Sequence, residues 1–245
     1  MQTGNDSLLQ VSELCAWYGA AQIIDDVGLQ VRRGEVVALM GRNGAGKSTT
    51  IKAIIGMLEK RRGHISFMGH DMARAEPHQA ARLGMGFVPE DRRIFTDLTV
   101  MENLEVGRQP PRCWPDGSQA PSWSPERLFS LFPNLGEMPQ RLGGRMSGGE
   151  QQMLTVARTL MGNPFLVLLD EPSEGVAPVI VEQMVHMILE LKAQGVSILL
   201  SEQNMHFAEL VSDRAYVLEK GQLRFEGSMS ELAANETVRR DYLSV

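Results

Sequence analysis

The chain has 245 residues, 43% of them hydrophobic and 22% charged, which is enough for one to two domains and excludes disordered, collagen-like and coiled-coil classes. A net charge of −6 argues against a nucleic-acid binder working through a broad basic face. No apolar run approaches a membrane span, the start Met-Gln-Thr-Gly-Asn-Asp-Ser lacks signal-peptide features, and Cys15 and Cys113 form no metal or redox pattern, so a soluble, reduced, intracellular chain is expected.

The first forty residues read as short strands separated by turns, closing at Arg33-Gly34-Glu35 and the apolar run 36–40. A Gly-rich turn follows, then a helix-period stripe of Ile51, Ile54, Ile55 and Leu58. Pro110, Pro111, Pro115, Pro121 and Pro125, with Gly117 and several serines, predict a loop over 110–125 with helix on either side. That texture predicts a helical insertion into an α/β core. Trp114 and Trp123 fall in the loop and are expected to pin it to the body. Residues 165–169 are apolar at every position, which suits a parallel strand covered on both faces. A helical pattern (Ile180, Met184, Met187, Ile188, Leu191), a stop at Gly195 and a strand over 197–200 complete the alternation of a parallel α/β sheet. The fifteen methionines sit mostly at helix-period positions and predict core filling.

The strongest chemical signal is Gly41-Arg42-Asn43-Gly44-Ala45-Gly46-Lys47-Ser48-Thr49, which fits the P-loop pattern G-x-x-x-x-G-K-[ST]. Glycines let successive N–H groups curl around a phosphate, and the following helix N-terminus adds its positive dipole end. Lys47 is expected at the β- and γ-phosphates of a bound nucleotide and Ser48 on Mg²⁺, a pattern that kinases, GTPases and motors share. The apolar run into Asp170-Glu171 has the form of a Walker B strand. Asp170 would hold Mg²⁺, and Glu171 is placed to polarise the attacking water as general base.

Ahead of that strand, Met146-Ser147-Gly148-Gly149-Glu150-Gln151-Gln152 resembles the LSGGQ signature of ABC ATPases. The order of P-loop, helical insertion, signature and Walker B agrees with that family over essentially the whole chain. The resemblance implies an α/β P-loop core with an N-terminal antiparallel β subdomain and a helical subdomain, in a single domain spanning 8–245. Residues 8–90 and 161–245 would form the β subdomain and core, and 91–160 the helical subdomain. It also implies a head-to-tail dimer in which Ser147, Gly148, Gly149 and Glu150 read the nucleotide bound to the other subunit. Tyr18 corresponds to the aromatic stacked on adenine, while Trp17 is expected to pack structurally. Glu90 occupies the Q-loop, where most members carry a Gln that contacts the metal and the attacking water. The D-loop is Ser173 to Pro178, with Ala177 at the usual Asp. Gln203 stands at the switch histidine, and His206 is expected to be an ordinary helical histidine.

Glu90, the Glu-Pro-Ser-x-Gly-x-Ala-Pro run after Asp170 and Glu202-Gln203-Asn204 together resemble one branch: the second ATPase of branched-chain and hydrophobic amino acid importers. Urea and short-chain amide importers are the alternative. The resemblance implies a sister or identical ATPase subunit, integral membrane permease subunits and, indirectly, a solute-binding protein as partners. It places the chain peripherally at the cytoplasmic face of a bacterial inner membrane. DNA-repair ATPases with the same motifs carry a very long coiled coil between the halves, whereas about one hundred residues separate Lys47 from Ser147. A soluble kinase would have no use for the signature peptide.

Overall fold

The computed structural model describes residues 7–243; the polar start and residues 244 and 245 lie outside the described residues. β1 (Ser7–Tyr18) and β2 (Ala21–Arg32) form an antiparallel pair of twelve-residue strands, in place of the several short strands expected. Bulges account for the difference. The pairing register shifts between Val11 and Leu14, and Glu13 and Asp26 take left-handed φ angles of 54° and 53°. A bulge breaks the apolar alternation while the ladder continues.

β3 (Val36–Met40) leads into α1 (Lys47–Ile55). The helix is shorter than its apolar stripe, because Gly56 caps it at φ 92° and Leu58 is buried beyond its end. β4 (Lys60–Phe67), β5 (His70–Asp71), α2 (Pro77–Leu83) and β6 (Met85–Val88) follow. The next helices, α3 (Val100–Gly107), α4 (Pro125–Leu131), α5 (Pro133–Gly136) and α6 (Gly148–Leu160), all fall before β7 (Leu166–Asp170). α7 (Pro178–Ala193), β8 (Ser197–Glu202), α8 (Met205–Val211), β9 (Arg214–Glu219), β10 (Gln222–Ser228), α9 (Met229–Ala234) and α10 (Glu236–Val238) follow, and a π-helical turn over Arg239–Leu243 completes the described chain.

The strands make two sheets, an antiparallel one in the order β2-β1-β4-β5 and a larger one in the order β10-β9-β3-β8-β7-β6. In the larger sheet β9, β3, β8, β7 and β6 run parallel, and β10 pairs antiparallel at the edge. Alternate side chains of these strands serve opposite faces. Val36, Ala38, Met40, Val167 and Leu169 pack with the helices after β6, while Val37, Leu39, Leu166 and Leu168 pack with α1 and the antiparallel sheet. Burial on both faces explains why β3 and β7 are apolar throughout. Tyr216 ties the two sheets: its buried hydroxyl accepts the Gln30 N–H at 3.1 Å and meets Glu226 at 3.0 Å.

The Pro-rich loop between α3 and α4 lies down on the core. Trp114 is buried with its ring 4.6 Å from that of Phe165, and the Arg33 guanidinium covers it at 4.0 Å. Arg33 also pairs with Asp116 at 3.0 Å. Trp123 is buried too, its backbone N–H donating to Asn163 Oδ1 at 2.7 Å. Both indoles therefore hold the loop, as their isolation in a polar stretch suggested. Among the described residues, no helix is long and apolar enough to cross a membrane.

Candidate active site

The turn between β3 and α1 carries the P-loop. Gly46 sits at φ 109°, and a Cβ there would lie 2.6 Å from Ile24 Cδ1, so the chain enters the helix through a conformation and a space suited to glycine. The first helical N–H groups, without intrahelical acceptors, open onto residues 41–46. Lys47 is the first residue of α1 and is buried. Its ammonium donates to the carbonyls of Gly41 at 2.9 Å and Arg42 at 3.2 Å, and lies 3.0 Å from Glu171 Oε1. The sequence-predicted cation and base, 124 positions apart in the chain, are in direct contact.

β7 delivers Asp170 and Glu171, and β8 delivers the residue that holds them. Ser201 Oγ donates to Asp170 Oδ1 at 2.8 Å and accepts the Glu171 N–H at 3.0 Å. Glu171 occupies the left-handed region at φ 47°, a conformation costing a non-glycine residue about 1–2 kcal/mol. The clamp from Ser201 offsets that strain and turns the carboxylate toward Lys47. Asp170 Oδ2 is buried and has no hydrogen-bond partner. An orphaned carboxylate oxygen beside a P-loop fits Mg²⁺, with the half-buried Ser48 hydroxyl available one residue after Lys47. Among the described residues no group of three or more His, Cys, Asp or Glu could hold a metal by itself.

A second carboxyl joins the base. Burial pushes Glu171 up, but the hydrogen bond from Glu174 and the Lys47 ammonium outweigh it and leave the carboxyl below its usual range. Glu174 is pushed up to about 7 by the hydrogen bond it shares with Glu171, by desolvation, and by the charges of Glu171 and Glu90, against Lys47. Below that pH, Glu174 is a neutral donor to Glu171. Above it, Glu174 joins Glu171 as a second anion beside Lys47, an unfavourable setting for a polyphosphate. The KM for ATP is therefore expected to rise a few-fold as pH passes from about 6 to about 8.5. Glu174→Gln, which stays neutral, should flatten that rise; a profile identical to that of the natural protein would exclude Glu174 as its source.

Glu202 closes β8 and is buried, its carboxyl pushed up by desolvation against hydrogen bonds from Ser173, Asn204 and Gln203. Gln203 itself is exposed just before α8, and His206 is exposed in that helix's first turn, as an ordinary helical histidine would be. Glu90 is exposed immediately after β6 and reaches the cluster through its charge on Glu174.

The remaining predicted residues lie apart. Tyr18 ends β1 half exposed, while Trp17 beside it carries Lys60 and Arg62 over its ring at 5.1 and 5.8 Å. Ser147 is the N-cap of α6, its hydroxyl accepting the Glu150 N–H and its own N–H donating to Glu150 Oε2 at 2.7 Å. Glu and Gln close this capping box equally well, so Glu150 keeps the local structure of a Gly-Gly-Gln signature. Among the described residues, Ser147, Gly148, Gly149 and Glu150 share no hydrogen bond or ion pair with residues 41–49. Ser201, Glu202 and Glu174 carried no role in the sequence reading. The first two lay in view at the end of an apolar strand, but which groups they would meet across the sheet depends on how β8 pairs with β7.

The ABC transporter family model matches residues 24–174. The chain is 39% identical to the high-affinity branched-chain amino acid transport ATP-binding protein BraG of Pseudomonas aeruginosa, over 96% of this chain and 99% of that protein. It is 32% identical to the lipopolysaccharide export system ATP-binding protein LptB of Haemophilus influenzae, over 97% of each. Its fold is similar to the ADP conformation of an ATP-binding cassette of an ABC transporter, with a TM-score of 0.78, 28% identity, and 96% and 97% of the two chains covered. With a P-loop lysine in contact with the Walker B glutamate and a matching family model, the chain belongs to the ABC transporter family, as an ATP-binding subunit that hydrolyses ATP.

Proposed function

We propose that this chain is the ATPase of an importer for branched-chain or hydrophobic amino acids, driving a separate membrane permease through ATP-dependent head-to-tail dimerisation. The observation that carries the cargo is the 39% identity over essentially full length to the branched-chain amino acid protein, against 32–33% to the lipopolysaccharide export proteins. The substitutions Glu90 and Gln203 point to the same branch.

In this reading the P-loop backbone and Lys47 bind the phosphates of ATP, and Tyr18 stacks on the base. Ser48 and Asp170, with Glu90 nearby, would hold Mg²⁺, which when bound neutralises charge on the β- and γ-phosphates. Glu171 accepts the proton of the attacking water. Gln203 hydrogen-bonds a γ-phosphate oxygen but carries no proton at neutral pH, so Glu171 is the only base. Ser147, Gly148, Gly149 and Glu150 of a second subunit close over the nucleotide, and loss of the γ-phosphate contacts reopens the pair. The helical subdomain, 91–160, and the Q-loop form the coupling surface. Met57, Phe95 and Val106 expose apolar side chains along one groove there, which suits a permease's cytoplasmic helix. A subunit of this kind works peripherally at the cytoplasmic face of the membrane.

The test is uptake of radiolabelled leucine, isoleucine, valine, urea and acetamide by a strain lacking this chain. Loss of branched-chain uptake, restored by the natural chain and not by Lys47→Ala, is the expected result. Selective loss of urea or amide uptake would assign the alternative cargo. Intact uptake with a defective outer membrane would instead favour lipopolysaccharide export.

A further inference from the structure

Two consecutive residues at the end of β8 act on different parts of the site. Ser201 holds Asp170 and Glu171, as described above. Glu202 reaches the segments that follow β7 and β8: Oε1 accepts the Ser173 N–H at 3.1 Å, and Oε2 accepts the N–H groups of Gln203 and Asn204, each at 3.1 Å. Ser173 opens the D-loop, two residues after the base, and Gln203 is the switch residue. A single buried carboxylate thus joins the two loops that flank the γ-phosphate position.

The start of α8 does not depend on this group alone. The N-terminus of α8 is already capped by Asn204, whose Oδ1 accepts the Phe207 N–H at 3.1 Å. A charge buried in an α/β core is costly unless every oxygen is hydrogen-bonded, and an apolar residue would fill the same space without that cost. What a carboxylate provides here is two acceptor oxygens facing three N–H donors and no donor of its own. A glutamine has one acceptor oxygen, and its NH₂ would be set against a backbone N–H.

We propose that Glu202 is a positioning residue for hydrolysis: its carboxylate ties the D-loop to the switch loop and fixes Gln203 relative to Glu171. The proposal rests on Gln203 acting as the switch residue, and the experiment separates the two ideas. Steady-state hydrolysis of Mg-ATP by the full-length chain is compared for the natural protein, Glu202→Gln, Gln203→Ala and the double variant. Glu202→Gln should lower kcat about tenfold while the KM for ATP stays within about twofold, because the phosphate cradle is untouched. In the Gln203→Ala background the same change should cost less than about twofold, since the residue it positions is gone. Glu202→Asp keeps the charge and one reach of the tie, and should recover part of kcat; it also serves if Glu202→Gln fails to fold. A merely structural role would lower the thermal midpoint and act equally in both backgrounds. Full kcat in Glu202→Gln, or losses that multiply in the double variant, would overturn the tie. Unaltered kcat in Gln203→Ala alone would overturn the switch assignment on which it rests.

Discussion

Glu171→Gln is expected to lower ATP turnover by about 10²- to 10⁴-fold while ATP binding is retained. The amide is nearly isosteric, so the Ser201 clamp on the backbone at φ 47° is unaffected. What is lost is the ability to take a proton from water. The switch residue does not replace it, because the Gln203 amide cannot carry a proton at neutral pH. Binding should hold or tighten, since Lys47 loses a competing anion at 3.0 Å and becomes free for phosphate. Stoichiometric retention of labelled ATP, together with a stable dimer on size exclusion, is the expected measurement. Unchanged turnover would remove Glu171 as the base.

The parts of the site that were legible in the sequence are those set by local geometry. A glycine-rich turn between an apolar strand and an amphipathic stripe announces a phosphate cradle from residues 41–49 alone. Acids after a fully apolar run announce a strand end. Ser201 and Glu202 were legible only as identities. Their roles follow from β8 pairing with β7 so that Ser201 falls opposite Asp170, a register that no local pattern reports. Glu174 was hidden differently. It is an exposed acid in a loop, and its raised carboxyl comes from sharing a hydrogen bond with Glu171 across a turn.

The fold shows the same division. Both faces of the larger sheet are covered, and the apolar runs at 36–40 and 165–169 predicted that directly. The long first strands were obscured because bulges at Glu13 and Asp26 interrupt a period of two without ending the ladder. Helix α1 ends three residues before its apolar stripe does, because Gly56 takes a left-handed turn and Leu58 fills the core from a loop. Hydrophobic spacing reports which side chains face inward; it does not report whether the backbone between them is still helical.

Lys47→Ala is expected to lower kcat/KM for ATP by about 10²- to 10³-fold, and for two separable reasons. The first is direct: the only ammonium among the described contacts of the cluster no longer reaches the phosphates, a loss on the scale of removing a preorganised charge from a transition state. The second acts through the base. Burial pushes the Glu171 carboxyl up, and with the ammonium gone only the hydrogen bond from Glu174 opposes it. The sign is therefore upward: Glu171 takes its proton at a higher pH, and the acid limb of the residual pH–rate profile moves toward neutrality. The same protonation limits the cost to stability, because the variant holds a neutral acid rather than a bare buried anion. Its thermal midpoint should stay close to that of the natural chain. Lys47→Arg restores the charge but not the fit, since the ammonium site is buried and ringed by two carbonyls at 2.9 and 3.2 Å, with no space for a planar fork. It should recover the pH profile more than the rate. An acid limb in Lys47→Ala that coincides with that of the natural chain would show that the 3.0 Å pair plays no part in setting the base.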